Sequence, residues 1–293
     1  MKLKKLTIIA LSALAGAAAG CTDFVEPGKD NVLTREDVIE NPVLAEGILL
    51  KAYDNLPTTL NYTEVAVDDA HSNNISNGYM LAAQGAWRST SDPFSQWRNY
   101  TQIAYINYFL DRIVDDVKWS YTSEWRAEHF PNRLKGEAYA LRAYHHSLIL
   151  QAHAGKSSSG ELLGVPYMDR FISSKHEQDG LQRLSFAECV GKIEKDIERA
   201  LQLLPDRYEN APTGTPDKED YDVVYGSRNT NRISGLAMKM LRARVRLLAA
   251  SPAFNPTNDP ALWEKAAESA AEVIDAFGGL SNLASNRVVF YLD

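Results

Sequence analysis

From Phe186 to Leu204 the chain sets apolar residues at Phe186, Val190, Ile193, Ile197, Ala200 and Leu204, at intervals of four and three that only a helix turns into one continuous face. Ser185-Phe186-Ala187-Glu188 opens this stretch with the residues of a capping box, and Pro205, which has no N–H to donate, ends it. The same period recurs along the chain. Asn41-Pro42 precedes Leu44, Ile48, Leu49, Ala52, Tyr53 and Leu56. After Asp92-Pro93 come Trp97, Tyr100, Ile103, Asn107, Leu110 and Ile113, a series that places Trp97 in the core. A helix opening near Pro131 carries Leu134, Ala138, Leu141, His145, Leu148 and Ala152 until Gly155 stops it. Ser234 opens another, with Leu236, Met240, Ala243 and Leu247 on one flank and Ala237, Leu241, Val245 and Leu248 on the other. Asp259-Pro260 starts the last, with Trp263, Ala266, Ala267, Ala270, Ala271, Ile274 and Phe277 facing inward. These patterns predict an all-α fold of antiparallel helices with long loops. The helix starts near 131, 185, 234 and 260 are unevenly spaced, so any repeat is degenerate.

The loops are predicted over 58–92, 155–183 and 206–232. The first is rich in Asn, Asp, Ser, Thr and Gly, and a loop of that length in a compact domain is functional or disordered. With 45% hydrophobic and 24% charged residues, the chain is globular. Its 31 basic against 38 acidic residues give a net charge of −7, which lacks the electrostatic footprint of a nucleic-acid binder. The first 20 residues read as a signal peptide: Lys2, Lys4 and Lys5 precede an uncharged apolar run from Leu6 to Ala19, too short to stay in a bilayer as a spanning helix.

Ala18-Ala19-Gly20-Cys21 resembles the lipobox of bacterial lipoproteins. That resemblance implies cleavage before Cys21, lipid on its thiol, a tether over 21–33 and a helical domain over 34–293. Several segments in order are similar to the SusD/RagB family of outer-membrane nutrient-binding lipoproteins. They are Ala52-Tyr53-Asp54-Asn55-Leu56, Val67-Asp68-Asp69 through Asn73-Asn74, Trp97-Arg98-Asn99-Tyr100, Gly136 through Tyr144 and Gly164-Val165-Pro166-Tyr167. Arg183-Leu184-Ser185 to Pro205, Ala243-Arg244-Val245 to Asn255, and Trp263 to Asp275 continue the series. The resemblance covers the N-terminal part of the family, whose members carry a further lobe that shares in ligand binding. It implies a degenerate tetratricopeptide-like scaffold, anchored by lipid at Cys21 and exposed on the cell surface. It also implies capture of an oligosaccharide or other nutrient, with a SusC-like TonB-dependent transporter as partner and with no catalysis or cofactor.

Sugar rings are recognised by flat aromatic faces beside short polar side chains. The 60–92 loop offers this mixture, and the candidate glycan-binding residues are Trp87, Tyr79, Arg88, Asn73 and Asp69, with Tyr62, Asn74 and Asn77 nearby. The alternative has Trp87 and Tyr79 packing the loop onto the scaffold. Arg142 reads as a buried partner for a carboxylate or a helix-end carbonyl. His145, His146 and His153 lack the spacing and nearby Glu of a helical zinc site and read as structural. Gly155-Lys156-Ser157 has Leu150 where a phosphate-binding loop needs glycine. Asp68-Asp69 and Asp115-Asp116 do not establish the carboxylate separation of a glycosidase. Cys189 reads as a small core residue near Leu184. Two other classes stay open at this level, a surface-tethered glycoside hydrolase and a helical-repeat adaptor that binds protein.

Overall fold

The structure is a computed structural model that describes residues 33–56, 65–67, 70–85 and 94–285. Cys21, Tyr62, Asp69, Trp87 and Arg88 lie outside the described residues. The elements are α1 (Arg35–Glu40), α2 (Pro42–Leu50), α3 (Gly78–Ala83), α4 (Asn99–Arg112), α5 (Glu124–His153), β1 (Gly155–Lys156), β2 (Leu162–Leu163), α6 (Lys175–Asp179), α7 (Phe186–Leu203), α8 (Lys218–Val224), α9 (Gly235–Ala250), α10 (Pro260–Ala276) and α11 (Leu280–Ser285). The chain divides after Asp37 into two units. In the first, Thr34 and Asp37 satisfy each other's N–H groups at the start of α1. The second begins at Val38 and holds the elements from α2 onward. No helix among the described residues is long and apolar enough to cross a membrane.

The all-α expectation holds, with β1 and β2 forming one short antiparallel ladder. The capping box forms as read: Ser185 Oγ accepts from the Glu188 N–H at 3.2 Å, and the Ser185 N–H donates to Glu188 Oε2 at 2.9 Å. Three predicted loops contain short helices, α3, α6 and α8. The helix expected from Pro131 instead begins at Glu124, because Ser123 Oγ takes the Arg126 N–H at 3.1 Å and caps it. Pro131 lies inside α5 and leaves one carbonyl of the helix without its usual donor.

Helix α5 lies between two cores. One side joins Ala140, Ala143 and Leu150 to Ile193 and Ile197 of α7 and to Leu241 and Val245 of α9. The other joins Leu134, Ala138 and Leu141 to Leu49 of α2 and to Ile106 and Phe109 of α4. A helix buried on both sides needs apolar residues around most of its circumference. Long helices consecutive in the chain run antiparallel: Asn99 meets His145 and Asn107 meets Arg142 between α4 and α5, and Gly136 lies against Leu203 and Arg142 against Asp196 between α5 and α7. Arg246 of α9 donates to Ser269 of α10 at 2.9 Å. Arg142 is therefore the buried carboxylate partner expected from sequence.

Exposure sorts the two apolar flanks of α9 and corrects two inward assignments, in α10 and at Trp97. In α9 the Leu241/Val245 flank is buried, while Met240 and Leu247 on the other are 47% and 55% exposed, because α5, α7 and α10 cover only the first and the back of the helix. In α10 only Ala266 and Ser269 are buried; Trp263 is 40% exposed and Ala267, Ala270 and Ala271 face outward, since one neighbour, α9, covers a single narrow stripe. Trp97, expected in the core, is 45% exposed.

Cys189 is fully buried, its thiol 3.3 Å from the Val165 carbonyl, as its core reading required. The segment 164–165 passes so close to α7 that a Cβ on Gly164 would collide with Cys189 Sγ and stand 3.0 Å from the Ser185 carbonyl oxygen. Gly164→Ala is expected to destabilise the protein by about 1–3 kcal/mol, because the obstruction includes backbone. Urea denaturation checks this, and adding Cys189→Ala should recover part of the loss, since the two sites share one contact.

Candidate functional site

The best-formed polar and aromatic surface surrounds the start of α4. Its foundation is a chain of amides. Asn99 donates to the Gln96 carbonyl at 2.9 Å and to Gln96 Oε1 at 2.8 Å, and its own Oδ1 accepts from Asn55 at 2.6 Å. Beneath it, His145 is wedged between Asn99 Oδ1 and the Ala52 carbonyl, each at 2.9 Å, and burial pushes its pKa down to about 4. Next to it, His146 stacks on Tyr167 at 3.7 Å; burial pushes its pKa down to about 3. Burial favours the uncharged form of both imidazoles, and an uncharged His145 donates to one of its two flanking oxygens. No group of three or more His, Cys, Asp or Glu side chains among the described residues is arranged to hold a metal ion.

On this foundation Trp97 lies flat against His153, with centroids 3.8 Å apart and planes 11° apart, and nearly parallel to Tyr100 at 6.1 Å. The Gln96 N–H donates to His153 Nε2 at 3.0 Å, which locks the imidazole under the indole. Tyr100 is pinned by its hydroxyl, which donates to the Pro166 carbonyl at 2.6 Å; burial pushes that phenol's pKa well up, so it stays a donor. The result is an exposed indole whose orientation is fixed from below. A fixed aromatic plane beside amide groups can stack on the apolar face of a sugar and bond its hydroxyls.

The sequence candidates are distributed unevenly. Tyr79 sits in α3, which Asn77 caps by accepting the Tyr79 N–H at 2.9 Å and the Met80 N–H at 3.3 Å. Its half-buried ring meets Phe94 at 5.1 Å, three residues before Trp97 in the chain. Asn73 is exposed, and its neighbour Asn74 uses Oδ1 to hold the Ser76 N–H at 3.0 Å. Asp69, Trp87 and Arg88 lie outside the described residues. Sequence reading missed His153 as the support of the indole. His153 reads from sequence as structural, but no local signal joins it to an indole 56 residues away. The groove between α5 and α9, lined by Tyr144, Leu148, Leu241 and Leu248, holds about 60 Å³, far below the roughly 300 Å³ of a small-molecule pocket.

Comparisons with known proteins agree with this architecture. The sequence profile of a SusD-like family described as "Starch-binding associating with outer membrane" matches residues 23–220. No curated protein matches the chain. Among solved structures, a SusD-like protein of Bacteroides fragilis is similar with a TM-score of 0.58 and 20% identity, over 81% of this chain and 39% of that one. A laminarin-binding SusD-like protein gives 0.55 and 18%, over 80% and 43%. A SusD homologue of Bacteroides thetaiotaomicron gives 0.54 and 18%, over 85% and 44%. The chain thus spans less than half the length of these structures, and at such identities the likeness establishes the fold. Because the family profile covers well over half of the sequence, the chain belongs to the SusD-like family.

Proposed function

We propose that this chain is the N-terminal, glycan-contacting part of a lipid-anchored outer-membrane protein. It captures an oligosaccharide without cleaving it and delivers it to a SusC-like TonB-dependent transporter. The observation that carries the reading is the exposed Trp97 indole held flat on His153. The family description as starch-binding and the laminarin-binding relative support a carbohydrate as ligand. Tyr79, whose ring meets Phe94, is a further candidate, and Asn73, Asp69, Trp87 and Arg88 remain candidates on their sequence character. Anchoring runs through Cys21.

In affinity electrophoresis through gels of starch or laminarin, Trp97→Ala is expected to weaken retention about tenfold or more with helical content unchanged, as for an aromatic anchor at a binding hot spot. Equal retention of variant and wild type would remove Trp97 from the site. Shortened glycan products after incubation would overturn the non-catalytic reading. Mass spectrometry of the exported protein is expected to find lipid on Cys21, and a bare cysteine would overturn the anchor.

A further inference from the structure

A second aromatic surface lies at the other end of α5. Trp125 stacks on His129, one turn later, with centroids 4.0 Å apart and planes 4° apart. Tyr225, just past the end of α8, stands edge-on to both rings, at 6.2 and 6.5 Å. Tyr221 of α8 completes the group at 6.2 Å from Trp125 and 5.5 Å from Tyr225. All four rings keep part of their surface in solvent.

Two features separate this group from ordinary packing. The first is its rim. Tyr100 and Tyr167, whose rings pack against the core, spend their hydroxyls on protein acceptors. Among the described residues, the hydroxyls of Tyr221 and Tyr225 have no protein partner. His129 uses only Nδ1, on the Trp125 carbonyl at 2.9 Å, and leaves Nε2 to water. A sugar hydroxyl can replace such a water with little loss of hydrogen bonding. The second is rigidity. Asp220 of α8 accepts from Arg126 at 2.6 Å and from Ser123 Oγ, and these two bonds hold its carboxyl below the usual carboxylate range. Asn229 binds the Val223 and Val224 carbonyls at the end of α8 and accepts from Arg133 of α5 at 2.9 Å. The two helices are thus fastened on both sides of the rings, and pre-ordered rings lose little freedom on binding.

We propose that Trp125, His129, Tyr221 and Tyr225 form a second carbohydrate site, which takes a neutral hexose unit of a glycan. Flat rings beside free hydroxyl and imidazole tips match the alternating apolar faces and hydroxyls of a pyranose. The exposed Glu124 and Glu128 on the same turns of α5 disfavour uronic acids by like charge. The 28 residues from Trp125 to His153 place this site about 40 Å along α5 from the Trp97 surface, so a short oligosaccharide cannot occupy both.

The experiment titrates the full chain, labelled with nitrogen-15, with maltoheptaose, laminariheptaose and oligogalacturonate. It follows the indole N–H signals, with Trp125→Phe and Trp97→Phe identifying theirs. The Trp125 signal is expected to shift saturably with at least one neutral heptaose, to do so equally in Trp97→Ala, and to ignore the galacturonate. Tyr221→Ala, and independently Tyr225→Ala, should each weaken that midpoint at least threefold with thermal unfolding retained. A Trp125 signal that stays still while Trp97 responds overturns this site alone. A silent Trp97 beside a responding Trp125 overturns the Trp97 assignment and leaves this one standing. Silence at both positions overturns both, and so does an unchanged midpoint in the two tyrosine variants for the second site.

Discussion

Asp196→Ala is expected to destabilise the protein by about 3–5 kcal/mol, the range found when one partner of a buried ion pair is removed. Asp196 and Arg142 are both buried. The guanidinium donates to the carboxylate through Nε at 2.7 Å and Nη2 at 2.6 Å, and the Tyr167 hydroxyl adds a third bond at 2.8 Å. Nη1 of Arg142 reaches Asn107 Oδ1 at 2.8 Å and the Asp169 carbonyl at 3.0 Å, so one side chain ties α4, α5, α7 and the segment after β2 together. Burial alone would push Arg142 down, but the hydrogen bonds and charge of Asp196 outweigh it and hold the guanidinium fully protonated. Without Asp196 that charge stays buried with only neutral oxygens as hydrogen-bond partners, and the Tyr167 hydroxyl loses its acceptor. Arginine does not shed its proton to escape this. Removing both charges is a different matter: Arg142→Met with Asp196→Leu should cost far less than Asp196→Ala alone, because no charge is left stranded. Urea denaturation of the wild type and the two variants tests both statements. A loss below about 1 kcal/mol for Asp196→Ala would show that water reaches the pair.

The extent to which the sequence foretold this structure depended on whether the deciding interaction was local. The Ser185/Glu188 box spans four residues and was readable as it stands. Arg142 reads from its place in the family's scaffold block as a buried partner for a carboxylate or a helix-end carbonyl, and only the fold reveals that the partner is a carboxylate 54 residues away. The start of α5 was misplaced because Pro131 looks like a first-turn proline, and Ser123, which does cap the helix, carries no hydrophobic signal. Trp125 and His129 precede Pro131 and so fall outside the helix that the sequence predicts. The flanks of α9 were both apolar in sequence, and only the position of its neighbours decided that Met240 and Leu247 stay outside. Trp97 continues the apolar series of α4 but sits before its first turn, where among the described residues the end of α5 covers one face of its ring through His153 and the indole stays 45% exposed. A period locates a face; it does not say how far along the helix that face is covered.

Acidification is expected to lower stability by about 4 kcal/mol between pH 7 and pH 5, and the cause is the adjacent pair His145 and His146. His146 is satisfied as a neutral ring. Its Nδ1 donates to the Arg142 carbonyl at 3.0 Å and its Nε2 accepts from the Met168 N–H at 3.1 Å, so a second proton would set two donors against each other. Burial pushes its pKa down to about 3, and that of His145 to about 4. In the unfolded chain both titrate near 6.5. Below that value the unfolded state binds protons that the native state refuses, so stability falls as pH drops through 6.5 and keeps falling until the native values are reached. At pH 5 the difference is about 2 kcal/mol for each histidine. Carboxylates whose pKa the fold lowers, such as Asp169 beside Lys192, contribute their own loss only at lower pH, where unfolded carboxylates begin to protonate. The window from 6.5 to 5 therefore reports on imidazole. His146→Gln keeps a donor for Arg142 and an acceptor for Met168 while removing the titration, and should roughly halve the pH dependence in urea midpoints measured at pH 7, 6 and 5. A flat profile in the wild type, or an equal slope in the variant, would place the acid sensitivity elsewhere.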